Sequence, residues 1–200
     1  MRRYINTLIF ILFSISAWTQ NLQVNINYLL FSIPNDTNYI EFQCLTLGNS
    51  IRYTPVDEQS YQGNININIS FTPLDSSKPL ISNKYSIQTN KYADTITSTK
   101  ENIYNVIRIP IPNGQYGLHV NIKDVASSEN TALEFNETIF MDYAKGNMDI
   151  SDIQLISNLS ILDEMDDFSK HNIDFIPYFS NFYPENISNL TFLSEIYNTD

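Results

Sequence analysis

Four residue types from which protein sites are often built are nearly missing from this 200-residue chain. It holds one cysteine, one tryptophan, two histidines and five glycines. A lone Cys44 excludes an intramolecular disulfide. Glycine this sparse leaves no Gly-x-Ser-x-Gly elbow, no phosphate-cradling loop and no dinucleotide fingerprint, which need glycine where the backbone turns sharply or approaches a ligand closely. His119 and His171 have no metal-ligand neighbour at useful spacing, and a zinc site is not built from so little. Basic residues are short as well: 11 Lys and Arg stand against 22 Asp and Glu, a net charge of −11. No basic run follows Arg2 and Arg3. Such a surface repels phosphate backbones, so nucleic acid and anionic membrane surfaces are excluded as partners. The acidity itself serves solubility.

Long apolar runs are missing too, except at the start. Leu8-Ile9-Phe10-Ile11-Leu12-Phe13 opens an apolar stretch that continues to Ala17, behind the positive pair Arg2 and Arg3. This is the layout of a secretory signal peptide, with Gln20 or Asn21 as the mature start. The stretch is short for a membrane span, and no later segment reaches spanning length. Residues 1–20 are therefore read as an export signal, with no integral membrane segment after its cleavage. The mature chain is expected outside the cytoplasm: periplasmic, outer-envelope associated or secreted. An exported chain with one cysteine must stand on its core without disulfide staples, which favours a bacterial envelope or surface protein. Six Asn-x-Ser/Thr triplets begin at Asn35, Asn68, Asn136, Asn158, Asn186 and Asn189. Composition accounts for them, because Asn, Ser and Thr dominate the polar residues.

What the chain has in quantity is alternation. Hydrophobic residues make up 42% of it, enough for a core. Leu22, Val24, Ile26, Tyr28 and Leu30 alternate with polar residues, as do Ile65, Ile67, Ile69 and Phe71, and Tyr116, Leu118, Val120 and Ile122. Period two with one apolar face predicts strands. Further strands are expected over 39–47, 51–54, 84–89, 104–109, 133–141 and 150–156. Pro34-Asn35-Asp36 and Asn113-Gly114 supply turns. Helical periodicity is absent except around Thr95–Tyr104. Seven to nine short strands over this length predict an all-β fold, an immunoglobulin- or fibronectin-III-like sandwich. In that sandwich Cys44 shares a strand face with Ile40 and Phe42 and is expected as a small buried hydrophobe. His119 falls on the solvent face beside Leu118 and Val120.

The expected organisation is a signal over 1–20, a β-sandwich over 21–157, an acidic linker over 158–172 and the beginning of a second, incomplete β-rich domain over 173–200, with completion of the first domain by those last strands as the alternative. The linker contains Leu162-Asp163-Glu164-Met165-Asp166-Asp167 and His171. That acidic run lacks the glycine of an EF-hand calcium loop and is read as a solvated segment. Tyr178, Phe179, Phe182 and Tyr183 cluster around Pro177 and Pro184. They are read as a core or interdomain contact, with a sugar-stacking platform as the competing reading.

Five stretches, in order, resemble the bacterial GWxTD domain-containing proteins: Val24–Phe31, Tyr39-Ile40-Glu41-Phe42, Ile111–Tyr116 with Asp124 closing the strand, Ser151–Leu155 and Leu193–Asn198. The naming Gly-Trp-x-Thr-Asp motif is absent, since Trp18 lies in the signal. The resemblance implies an N-terminal region of such a protein, made of exported β-sandwich modules with no assigned reaction and no catalytic residues to carry over.

No catalytic, cofactor-binding or metal-ligating residue is nominated, and no cofactor is expected. The expected function is that of a noncatalytic exported module of a bacterial envelope or secreted protein, serving assembly or contact with a protein partner or envelope component. Carbohydrate binding, or service as an accessory domain to an enzyme whose catalytic part lies beyond residue 200, are the alternatives.

Overall fold

A computed structural model describes residues 21–33, 38–127, 132–143, 146–160, 174–179, 183–185 and 187–199, and among these the chain forms thirteen strands. The first eight strands are β1 (Val24–Phe31), β2 (Tyr39–Thr46), β3 (Tyr53–Asp57), β4 (Ser60–Pro73), β5 (Ile81–Gln88), β6 (Ile103–Pro110), β7 (Gly114–Asp124) and β8 (Leu133–Met141). One sheet has the order β1-β2-β6. The other runs β3-β4-β7-β8, with β5 also paired to β4. Strand β4 is long enough for β3 to pair with its first residues and β5 with Asn64–Phe71 on the same edge. All pairings are antiparallel. Strands one, two and six against strands four, seven and eight is the connectivity of an immunoglobulin-like sandwich, here with β5 beside β4.

Alternation places the core. Ile65, Ile67, Ile69 and Phe71 of β4 and Tyr116, Leu118, Val120 and Ile122 of β7 are buried. They meet Ile40, Phe42 and Cys44 of β2 and Ile107 and Ile109 of β6 in one cluster. Phe71 reaches across the gap between the sheets to Phe42, at 6.3 Å between centroids, and along its own sheet to Tyr116, at 6.5 Å. Burial pushes the Cys44 thiol up to about 12. A buried, protonated thiol is inert. Cys44 is expected to resist a thiol-titrating reagent in the native chain and to react fully in denaturant; rapid native labelling would contradict its position.

The turn unit around Asn113-Gly114 has a specific architecture. The Tyr116 hydroxyl donates to the Pro112 carbonyl at 3.1 Å, closing a tyrosine corner at the start of β7. Asn113 receives the Tyr143 amide at 3.1 Å and donates to the Tyr143 carbonyl at 2.9 Å, tying this turn to the end of β8. Tyr116→Phe is expected to lower unfolding free energy by about 1 kcal/mol, the net worth of one such bond. Paired denaturation curves measure it. Asp124 closes β7 because its carboxylate accepts the Arg52 amide at 2.8 Å and the Ala126 amide at 3.0 Å.

Edge strand β8 carries Glu137 opposite Leu118, exposed, with its charge near the Tyr28 phenol. A charge on an edge strand discourages a further strand from pairing there. The expected helical region shrinks to one turn, α1 (Thr95–Ser98), capped by Asp94, whose carboxylate accepts the Thr97 amide at 2.7 Å.

The remaining strands are β9 (Asp149–Ile150), β10 (Gln154–Ser160), β11 (Asp174–Pro177), β12 (Thr191–Leu193) and β13 (Ile196–Tyr197). They form a three-stranded sheet, β11-β10-β12, and the pair β13-β9. Strand β10 crosses the expected boundary at 157, while residues 1–20 and 161–173, with the acidic run and His171, lie outside the described residues. The strands after 173 bury a face against the earlier chain. Phe175 and Tyr197 are buried. Asn25 donates to the Phe179 carbonyl at 2.6 Å, and the Tyr197 hydroxyl accepts the Ser32 amide at 3.0 Å. This third layer covers the face of β1-β2-β6 that the sandwich core does not use.

Candidate functional site

Strand β2 shows what the third layer does. Its core face carries Ile40, Phe42 and Cys44, yet Glu41 and Gln43 on the opposite face are buried as well. A carboxylate taken out of water needs partners. Arg108, directly across the ladder on β6, donates from Nε to Glu41 Oε2 at 2.8 Å. Gln43 Nε2 and Gln154 Nε2 each donate to Glu41 Oε1 at 3.2 Å. The sandwich thus supplies Glu41, Gln43 and Arg108, while the third layer supplies Gln154. Burying the carboxylate fixes the Gln154 amide with its nitrogen toward Glu41, and its Oε1 is buried with no hydrogen-bond partner among the described residues.

A second polar cluster sits where β1 meets β9 and β13. Asp152 accepts the Leu30 amide at 2.8 Å and returns its own amide to the Leu30 carbonyl at 3.2 Å. The Tyr143 hydroxyl donates to that same carbonyl at 2.7 Å. The free edge of β1 is thereby occupied. The Tyr197 hydroxyl donates to Glu195 at 2.8 Å, and its ring meets that of Tyr143 edge-on at 5.5 Å. Burial, and then the nearby carboxylates, raise the phenols of Tyr39, Tyr143 and Tyr197. These groups donate and hold; they do not ionise near neutrality.

The same phenols set an alkaline limit. Tyr28 is pushed up to about 12, chiefly by burial and next by Glu137. A raised folded-state pKa means that the unfolded chain loses the proton first, near the ordinary value of 10.0. The stabilisation is complete below that pH and is lost as pH rises toward and beyond 12. The denaturation midpoint is expected to be flat to about pH 9 and to fall steeply by about pH 11. Phenolate absorbance should rise together with unfolding, and early titration of every tyrosine in the folded chain would contradict this.

The aromatic cluster named from the sequence is turned onto the protein. Tyr178 and Tyr183 stack on each other at 4.3 Å and 11°. Phe179 packs against Tyr104 at 5.1 Å, and Phe182 lies outside the described residues. With Leu22, Leu45 and Leu133, Phe179 also lines an open, mainly apolar groove of about 500 Å³. His119 is on the outer face of β7, where its Nδ1 and Asn136 Oδ1 are 2.7 Å apart. Among the described residues no three His, Cys, Asp or Glu come together as metal ligands. Among them, too, no helix is long and apolar enough to cross a membrane.

No family model, curated protein or solved structure matches this chain. The polar clusters described above join layers. What faces outward from the third layer is apolar: Ile150 and Ile196 are cross-strand partners and both exposed, and Phe192, opposite Leu155, is exposed too. The sequence signal for this face was present in the alternation of 150–156 and 190–197. Which of the two alternating faces is covered depends on where the sandwich sits.

Proposed function

We infer that the chain is a noncatalytic, exported β-sandwich module of a bacterial envelope or secreted protein, working by contact with a protein partner or envelope component. The observation that carries this is the exposed apolar outer face of the third layer, since apolar surface gathered on one sheet face marks an interaction site. Glu41 and Asp152 accept bonds from the neighbouring layer, and Arg108 and Tyr197 hold carboxylates of their own layer, so these ionisable groups are committed to structural bonds. The resemblance to GWxTD domain-containing proteins supports the same reading, because it implies exported sandwich modules without a reaction.

Two measurements test it. Fractionation of cells expressing the full chain, with and without residues 1–20, is expected to place only the form with its leader outside the cytoplasm. A photo-crosslinking side chain at position 192 is expected to give a discrete protein adduct that the same group at position 84, on the polar outer face of β5, does not give. Cytoplasmic retention of the full chain, or the absence of any adduct, would remove the reading.

A further inference from the structure

Charge is divided unevenly along the chain. Residues 149–200 hold ten of the 22 acids and only one of the 11 bases, Lys170, so this quarter carries −9 of the net −11. The described strands of the same stretch, β9 to β13, build the third layer. Gln154, Ile156, Phe175 and Tyr197 point toward the sandwich and are buried. Ile150, Ile153, Phe192 and Ile196 take the opposite face and are 56%, 58%, 60% and 62% exposed. The Ser151 amide donates to the Glu195 carbonyl at 2.9 Å, which joins the β9-β13 and β10-β12 ladders into one ribbon. An apolar strip therefore runs along a stretch whose described charged side chains, Asp149, Asp152, Glu185 and Glu195, are all acidic.

Resting on the reading of the chain as an interaction module, we propose that this strip binds a basic amphipathic segment of another protein. That segment presents apolar side chains to Ile150, Phe192 and Ile196, and Lys or Arg to the flanking acids. Charge selects the partner. A second copy of this chain would set Asp149, Asp152, Glu185 and Glu195 against the same acids across the contact, and like charges juxtaposed at an interface oppose association. A basic rim reverses that sign and adds steering toward the site.

The test uses the exported full chain and a labelled peptide of alternating leucine and lysine, followed by fluorescence anisotropy. Saturable binding is expected that weakens with added salt, as partly exposed ionic contacts do. The double variant Phe192→Ser/Ile196→Ser is expected to weaken it at least about tenfold, which corresponds to about 1.4 kcal/mol. Both side chains are exposed, so the melting temperature should hold. A second variant, Asp149→Asn/Glu185→Gln, is expected to flatten the salt dependence while leaving the fold intact. Equal binding to the double variant would overturn the proposal. So would equal binding of a leucine–glutamate peptide, or a dimer of the chain that Phe192→Ser/Ile196→Ser dissolves. An adduct at position 192 without leucine–lysine binding would sink the partner's chemistry and leave the interaction reading standing. Absence of any adduct would remove that reading itself.

Discussion

Phe71→Ala is expected to lower the unfolding free energy by about 3–5 kcal/mol, a large share of the ~5–15 kcal/mol that holds a typical domain. Phe71 is fully buried on β4 and touches rings from both sheets, Phe42 on β2 and Tyr116 on β7. Truncation removes the transfer free energy of the ring and leaves a cavity whose walls cannot close. Those walls belong to strands held by ladders on both sides of β4, to β5 and to β7. No disulfide limits the unfolded chain, because Cys44 is the only cysteine. The loss should therefore appear in full in a urea titration, with an unchanged slope and a lower midpoint. Phe71→Leu fills most of the volume and is expected to cost less. A shift of under about 1 kcal/mol for Phe71→Ala would mean that the sheets do not pack through this ring.

Arg108→Met is expected to be comparably damaging, at about 3–5 kcal/mol, for a different reason. Glu41 is fully buried, while Arg108 reaches its carboxylate from a partly exposed position. Removing the guanidinium leaves a buried carboxylate without its cationic partner, although the Gln43 and Gln154 amides still donate to it. The pair itself contributes little net stability, since desolvating both ions offsets most of their attraction. Arg108→Met/Glu41→Leu is therefore expected to recover most of the loss. Denaturation of the single and double variants closes the cycle. If Arg108→Met alone proved neutral, the third layer would not be seated on Glu41 in solution.

Much of the sandwich was legible in the residues. The alternation of β4 and β7 names their buried faces, because polar residues on the other face leave one way to turn each strand; in β1 the alternating Val24, Ile26, Tyr28 and Leu30 meet the core only partly buried, and Leu29 and Phe31 on the opposite face are buried as well. The Asn113-Gly114 turn, Asp124 as a strand end and Cys44 as a core residue follow in the same way. Glu41 and Gln43 were not legible as buried. In a strand that alternates with Ile40, Phe42 and Cys44 they read as solvent-facing. Their burial depends on a layer more than 100 residues away, through Gln154.

By itself the sequence determined an all-β chain, the inward faces of the sandwich strands, the sparseness of chemistry-bearing residues and the crowding of acidic charge after residue 149. These are local properties, set by period-two patterning and composition. Only the tertiary structure decided that the strands from Asp149 to Tyr197 lie on the β1-β2-β6 sheet, and which of their faces is covered. A strand's two faces are equivalent until a neighbour occupies one, and that neighbour comes from a distant part of the chain.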